Sequence, residues 1–109
     1  MEENINDWIS KKITSSDVVL FMKGTPETPQ CGFSSQVVQI LNYLGIEFSS
    51  VNVLEDESIR NGIKEYTNWP TIPQLYVKNE FIGGADIVRE MFEENELKEF
   101  LKEKGIATN

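Results

Sequence analysis

The stretch "VVLFMKGTPETPQCGFSSQVVQILNYLG", residues 18–45, contains the pattern that decides the fold. Its first five residues form a compact apolar run, which is typical of a buried β-strand. Two prolines and a glycine in residues 23–30 predict a loop. A helix is predicted next, ended by Gly45, because apolar residues recur on one helical face: Phe33, Val37, Val38, Leu41 and Leu44. Cys31 is therefore expected at or near the N-terminus of this helix.

The remaining patterns extend this unit in both directions. Apolar spacing predicts a helix over residues 5–13, and alternation predicts a strand over 48–53. Asp56 is expected to cap a third helix, which ends before Pro70 and carries Ile59, Ile63 and Tyr66 on one face.

The last part of the chain reads as a hairpin followed by two helices. Residues 74–77 and 80–82 flank a two-residue turn. A helix is predicted from about Asp86 to Phe92, and a final helix ends at Gly105. The element order predicts an α/β domain over residues 1–109, with a four-stranded mixed sheet flanked by helices on both faces.

Composition excludes several classes of function. The 109 residues contain one cysteine and no histidine, so an intrachain disulfide, a Cys/His zinc site and a Cys-His nucleophile pair are impossible. The formal net charge of −8 argues against binding nucleic acid or anionic membranes, since phosphate binding depends on clustered Lys and Arg.

The N-terminal sequence "MEENINDWIS" has no basic segment followed by an apolar one, as a secretory signal would. No apolar run approaches the ~18 residues that a membrane span needs, and a single free cysteine suits a reducing compartment. The predicted location is the bacterial cytosol, or an organelle matrix if the chain is a processed form.

Cys31 is the first candidate functional residue. Unpaired amides and the helix dipole at a helix N-terminus favour an anion, so the pKa of this thiol should be lowered. Lys23, at the end of the first strand, would add positive potential. The alternative is a buried, inert cysteine that acts as a small apolar residue.

Three further segments are candidates for a pocket beside this thiol. In "NWPTIPQL" (68–75), Pro73 suits a strand start or a cis turn, with backbone groups before it exposed for a peptide-like ligand. Gly83-Gly84, before a helix capped by Asp86, is a candidate anion-binding site. Arg60 and Lys64, four apart on one helix, are candidates for a second carboxylate. The alternatives are an ordinary loop, an ordinary turn and solvated charges. Together these features describe a site for a small dianionic thiol peptide such as glutathione.

The motifs "DVVLFMKGTPETPQCGFS" (17–34) and "GIKEYTNWPTIPQLYVKNEFIGGADI" (62–87) closely resemble the monothiol glutaredoxins of the Cys-Gly-Phe-Ser class. The resemblance implies a thioredoxin-like fold with Pro73 as a cis proline beside the active Cys31. It also implies three sets of glutathione contacts: Lys23 and Arg60 with the glycine carboxylate, the backbone of Ile72 next to Thr71 with the cysteinyl part, and Ala85-Asp86 with the γ-glutamyl end. Relatives often have a cysteine where this chain has Ala85, so an internal disulfide there is impossible.

The same resemblance implies a function and partners. Such glutaredoxins bind a 2Fe-2S cluster between two subunits, pass it to apoproteins and pair with BolA-like proteins. A cluster of this kind usually needs four sulfur ligands, so two chains would supply two and two glutathiones the others. One alternative is a glutathione-dependent oxidoreductase that uses Cys31 by a monothiol route, although the loop "TPETP" (25–29) would disfavour the attack. Another is a non-catalytic adaptor in which Cys31 is incidental.

Overall fold

The computed structural model describes residues 4–109. The predicted element order is confirmed, and the elements of the described residues are α1 (Ile5–Thr14), β1 (Val18–Met22), α2 (Gly32–Tyr43), β2 (Ser49–Asn52), α3 (Glu57–Thr67), β3 (Gln74–Val77), β4 (Glu80–Gly83), α4 (Ala85–Glu93) and α5 (Glu96–Glu103). Within residues 4–109, no helix is both long enough and apolar enough to cross a bilayer.

The strands form one mixed sheet in the order β2-β1-β3-β4. β1 pairs in parallel with β2 and antiparallel with β3, while β3 pairs antiparallel with β4. The β3–β4 turn places Lys78 and Asn79 at φ +49° and +70°, as a two-residue hairpin turn requires, although neither residue is glycine. Because β1 lies inside the sheet, its C-terminal end and the loop after it lie near the middle of one edge of the domain.

Helices cover both faces of the sheet, as predicted. α1 and α3 bury Ile9, Ile13 and Ile63 against one face, whereas α2, α4 and α5 pack on the other around Leu41, Val88 and Leu101. All five residues of β1 are buried because both of its faces are covered. The thioredoxin-like architecture that the resemblance implied is therefore present.

Helix ends follow the predicted signals at two places. The Asp56 carboxylate accepts a hydrogen bond from the Ser58 N–H at 2.8 Å, capping α3. Gly45, at φ +71°, follows Leu44, the C-cap residue of α2, in the left-handed conformation that a terminating glycine allows.

The structure departs from the predicted pattern in three details. Phe33 and Tyr66 lie on the predicted apolar helix faces, but these two residues are 58% and 43% exposed. Phe33 lies in the first turn of α2. The next residue, Ser34, contacts the chain at the end of β1, so Phe33 lies past the end of that strand and is not covered by it. The N-cap of α4 is Gly84, and Asp86 lies within the first turn of the helix.

Candidate functional site

Cys31 lies where the loop after β1 enters α2. It is the N-cap residue of that helix, with an extended backbone (φ −151°, ψ 134°). Its side chain is partly exposed and not bonded to another cysteine. Cys31 is therefore not the deeply buried thiol of the alternative reading.

Ser34 occupies the position where a two-cysteine motif would have its second thiol. Its side chain is completely buried, and its hydroxyl oxygen accepts a hydrogen bond from the Lys23 backbone N–H at 3.1 Å. This contact joins the end of β1 to the first turn of α2. Ser34 is therefore a structural link between the two elements that present Cys31.

The pKa of the Cys31 thiol is lowered by its surroundings. Partial burial raises the pKa, but the backbone N–H groups of Ser34 and Phe33, the charge of Lys23 and the Ser34 hydroxyl all favour the thiolate, and together they outweigh burial. The Cys31 side chain does not cap the helix through a hydrogen bond. The Ser34 and Phe33 amides therefore lower the pKa by stabilising the negative charge of the thiolate. The site therefore favours a nucleophilic thiolate.

Replacing Ser34 with alanine should raise the pKa of Cys31, because the hydroxyl that favours the thiolate is lost. We expect alkylation by iodoacetamide at pH 7 to become several-fold slower, and the pH profile of the rate to move to higher pH. The matched control is Ser35→Ala, since the Ser35 hydroxyl accepts from the Gln39 side chain. Equal pH profiles for Ser34→Ala and the wild type would contradict this assignment.

A cavity of about 390 Å³ opens beside Cys31, within the size range of small-ligand sites. Its wall includes most of the site residues predicted from the sequence, which are Lys23, Cys31, Thr71, Ile72, Ala85 and Asp86. The walls come from the loop after β1, the loop before β3 and the start of α4. Residues that are distant in sequence therefore meet around one space.

Arg60 is the predicted site residue that is not part of this wall. Lys64, one turn later on α3, lines the cavity instead. Within residues 4–109, neither Lys23 nor Lys64 forms an ion pair with a carboxylate. Two cationic groups are therefore available to an anionic ligand.

The loop before Cys31 is held by hydrogen bonds. The Gln30 N–H donates to the Lys23 carbonyl at 2.9 Å, while Thr25 and Thr28 exchange backbone hydrogen bonds. The Asn52 side-chain oxygen, at the end of β2, accepts from the Gly24 N–H at 2.9 Å. These contacts fix the segment that places Lys23 and Cys31 next to each other.

The loop before β3 forms another part of the cavity wall. The Ile72–Pro73 peptide bond is cis, as expected. The Trp69 ring packs edge-on against Phe81 of β4, with 5.6 Å between centroids. Apolar periodicity gives no signal for Trp69, because this residue is partly buried by a strand that follows it in the chain.

Gly84 lets the two halves of the cavity approach each other. A β-carbon at this position would lie 3.3 Å from both the Pro73 carbonyl oxygen and Trp69 Nε1. The neighbouring Gly83 has φ +151°, and a β-carbon there would be 2.8 Å from the Ile87 side chain. The Gly-Gly pair therefore brings the start of α4 close to the loop before β3.

Cys31 also borders a second, more open hollow on the α2 side. Phe33, Gln36, Gln39 and Arg89 line it, and Phe33 is largely exposed. The thiol is thus approachable from two sides. Within residues 4–109, no group of three or more His, Cys, Asp or Glu side chains is arranged to hold a metal ion.

The comparisons with known proteins agree with this geometry. A model of the glutaredoxin family matches residues 18–82, so fold and site define the chain as a glutaredoxin. The chain is 57% identical over 94 residues to the "uncharacterized monothiol glutaredoxin ycf64-like" of Synechocystis, covering 86% of this chain and 88% of that protein. It is 52% identical over 105 residues to the "probable monothiol glutaredoxin 2" of Rickettsia typhi, covering 95% of each.

Among solved structures, a monomeric truncated mutant of Trypanosoma brucei 1-C-Grx1 matches with a TM-score of 0.88 and 44% identity, over 99% of this chain and 98% of that one. The chain belongs to the monothiol glutaredoxin family. The missing second thiol and the buried serine in its place agree with that assignment.

Proposed function

We propose that the chain binds glutathione in the cavity beside Cys31 and, as a homodimer, carries a glutathione-ligated 2Fe-2S cluster for transfer to apoproteins in iron–sulfur cluster assembly and iron homeostasis. The observation that carries the proposal is the position of Cys31. The only cysteine of the chain is partly exposed, favours the thiolate and borders a cavity lined by two lysines that form no ion pair with a carboxylate among residues 4–109.

Glutathione suits this cavity by charge. It has a carboxylate at each end, and the cavity lining includes two lysines, Lys23 and Lys64, as well as the first turn of α4. Amides at a helix N-terminus favour an anion, so the backbone of Ala85 and Asp86 is proposed to hold the γ-glutamyl carboxylate. The backbone of Ile72 would pair with the middle of the peptide, as in strand-like recognition.

The cluster requires ligands that one chain does not supply. Of the four sulfur ligands usually needed, this chain offers Cys31 alone among its cysteines. A second copy supplies another, and one bound glutathione per chain completes the set. Pairing with a BolA-like protein is proposed as the alternative assembly, and apo iron–sulfur proteins are the proposed recipients.

Anaerobic reconstitution with iron, sulfide and glutathione tests the proposal. We expect visible absorbance and elution as a dimer, because the cluster links two chains. Omission of glutathione should prevent both results. A colourless monomer in the complete mixture, or equal colour without glutathione, would contradict the proposal.

The lowered pKa of Cys31 also supports a second function, reduction of glutathione mixed disulfides. The Cys31 thiolate would attack the glutathione sulfur of a protein mixed disulfide, releasing the protein thiolate and forming Cys31–glutathione disulfide. A second glutathione thiolate would attack the bound glutathione sulfur, releasing Cys31 and oxidised glutathione. Rapid turnover in a glutathione-coupled assay would favour this function over cluster transfer.

The two cations of α3 can be tested against each other. Lys64→Gln should weaken binding of S-methylglutathione about tenfold, because a charge-assisted contact in the cavity is lost. Arg60→Gln removes the same charge from the same helix, one turn away from the lining residue, so it should have a smaller effect. Isothermal titration calorimetry measures both. A larger loss for Arg60→Gln would assign the contact to Arg60, as the resemblance implies.

The proposed location remains the bacterial cytosol, or an organelle matrix for a processed chain. The similar proteins of Synechocystis and Rickettsia typhi come from bacteria. Residues 1–109 are proposed to act as a single glutaredoxin domain, with no nucleic-acid or membrane partner, in agreement with the net charge of −8.

A further inference from the structure

Apart from the largely apolar Tyr76, Gln74 and Ser34 are the two buried polar residues among residues 4–109. Gln74 is the first residue of β3, directly after the cis proline, and pairs in register with Phe21 of β1. Burying an amide is unfavourable unless it forms hydrogen bonds. Its partners therefore indicate what this side chain does.

Gln74 Oε1 has no hydrogen-bond partner among residues 4–109, and both partners of Nε2 are carbonyl groups of the loop before β3. Gln74 Nε2 donates to the Trp69 carbonyl and to the Thr71 carbonyl, at 3.1 Å each. Pro70 and Pro73 have no N–H, so this loop has few backbone donors of its own. A side chain from the sheet supplies the donors instead.

These hydrogen bonds determine the direction of the next amide. A trans peptide unit is planar, so its C=O and N–H groups point in opposite directions. Since the Thr71 carbonyl points inward to Gln74, the Ile72 N–H points away from the interior. Ile72 lines the cavity beside Cys31, so this amide is directed to the side where a ligand would lie.

We infer that Gln74 is a positioning residue: it holds the Thr71–Ile72 peptide in the orientation that presents the Ile72 N–H to glutathione. This inference rests on the proposed function, because it assigns a role in recognising the peptide part of glutathione. The side chain acts through the loop and touches no ligand.

The test measures the binding of S-methylglutathione by calorimetry between pH 5 and pH 8, because this probe has no free thiol. Gln74→Leu has a similar size but no donors, and Gln74→Glu has the same shape but no donors when ionised. We expect each variant to bind about tenfold more weakly at pH 7.5, since the Ile72 amide is no longer held in place.

The pH profile separates positioning from general damage. Burial beside two carbonyl oxygens should raise the pKa of the introduced carboxyl group above that of an exposed glutamate. The protonated form has one O–H to donate. Binding by Gln74→Glu should therefore recover, relative to the wild type, as pH falls toward 5. Gln74→Leu should show no such recovery.

Tyr76→Phe is the matched control. Tyr76 lies two residues later on the same strand, is buried, and its hydroxyl has no hydrogen-bond partner within residues 4–109. We expect this variant to bind like the wild type. If the wild type binds the probe and both Gln74 variants bind equally well across the pH range, the inference is overturned while the proposed function stands. If the wild type does not bind the probe, both are overturned.

Discussion

Cys31→Ser should abolish cluster binding, leaving a colourless, monomeric protein after anaerobic reconstitution with iron, sulfide and glutathione. The expected loss is complete because no other cysteine exists in the chain, and residues 4–109 contain no alternative group of metal-binding side chains. A serine hydroxyl in place of the sulfur is a poor ligand for iron in such a cluster. Visible absorption spectroscopy and size-exclusion chromatography measure the two effects.

The same variant should retain non-covalent binding of S-methylglutathione within about threefold of the wild type, because the lysines and both loops of the cavity are unchanged. This result would show that the loss of colour comes from the missing sulfur and not from a damaged cavity. Colour in Cys31→Ser equal to that of the wild type would overturn the cluster proposal.

Gly24→Ala should strongly destabilise the fold, because Gly24 is buried in the loop between β1 and Cys31. A β-carbon at this position would lie 2.6 Å from both the Gln30 nitrogen and the Thr28 oxygen, and the backbone has φ +92°. The left-handed conformation costs about 1–2 kcal/mol, and displacement of packed atoms costs about 1–3 kcal/mol. We expect the melting temperature to fall by about 10 °C or more, with weaker glutathione binding, because Lys23 and Cys31 flank the loop.

Two other glycines provide controls for the two causes. Gly105 has φ +78°, but no atom would lie within 4 Å of a β-carbon added there, so Gly105→Ala should show only the cost of the backbone conformation. Gly32 has neither constraint, and Gly32→Ala should change stability by about 0.5 kcal/mol or less. Equal melting temperatures for Gly24→Ala and Gly32→Ala would contradict the described loop geometry.

Elements with a strong local pattern were predictable from the sequence. The apolar run of β1, the proline-rich loop and the helical period of α2 are all short-range signals, and the structure confirms the three elements. The position of Cys31 at the start of α2 followed directly from them. The hairpin was also predicted, because its turn is only two residues long.

Contacts between distant segments were harder to predict. Phe33 fits the periodic face of α2 but lies beyond the end of β1, and a periodic pattern contains no information about where the covering sheet ends. The choice between Arg60 and Lys64 depends on where α3 meets the cavity. In the sequence, Gln74 looks like an ordinary strand residue. Its hydrogen bonds depend on the turn before β3, which brings the Trp69 and Thr71 carbonyls within reach of its side chain.

The hydrogen bonds of Asn52 have a consequence for how quickly a ligand is captured. Its side-chain oxygen accepts from the Leu54 N–H as well as from the Gly24 N–H, at 3.0 and 2.9 Å, so one amide anchors the loop after β1 to the chain segment after β2. A preorganised site has little ordering entropy to lose on association. Encounter should therefore be governed by diffusion and by attraction between the lysines and the anionic ligand, with an on-rate that declines as ionic strength rises.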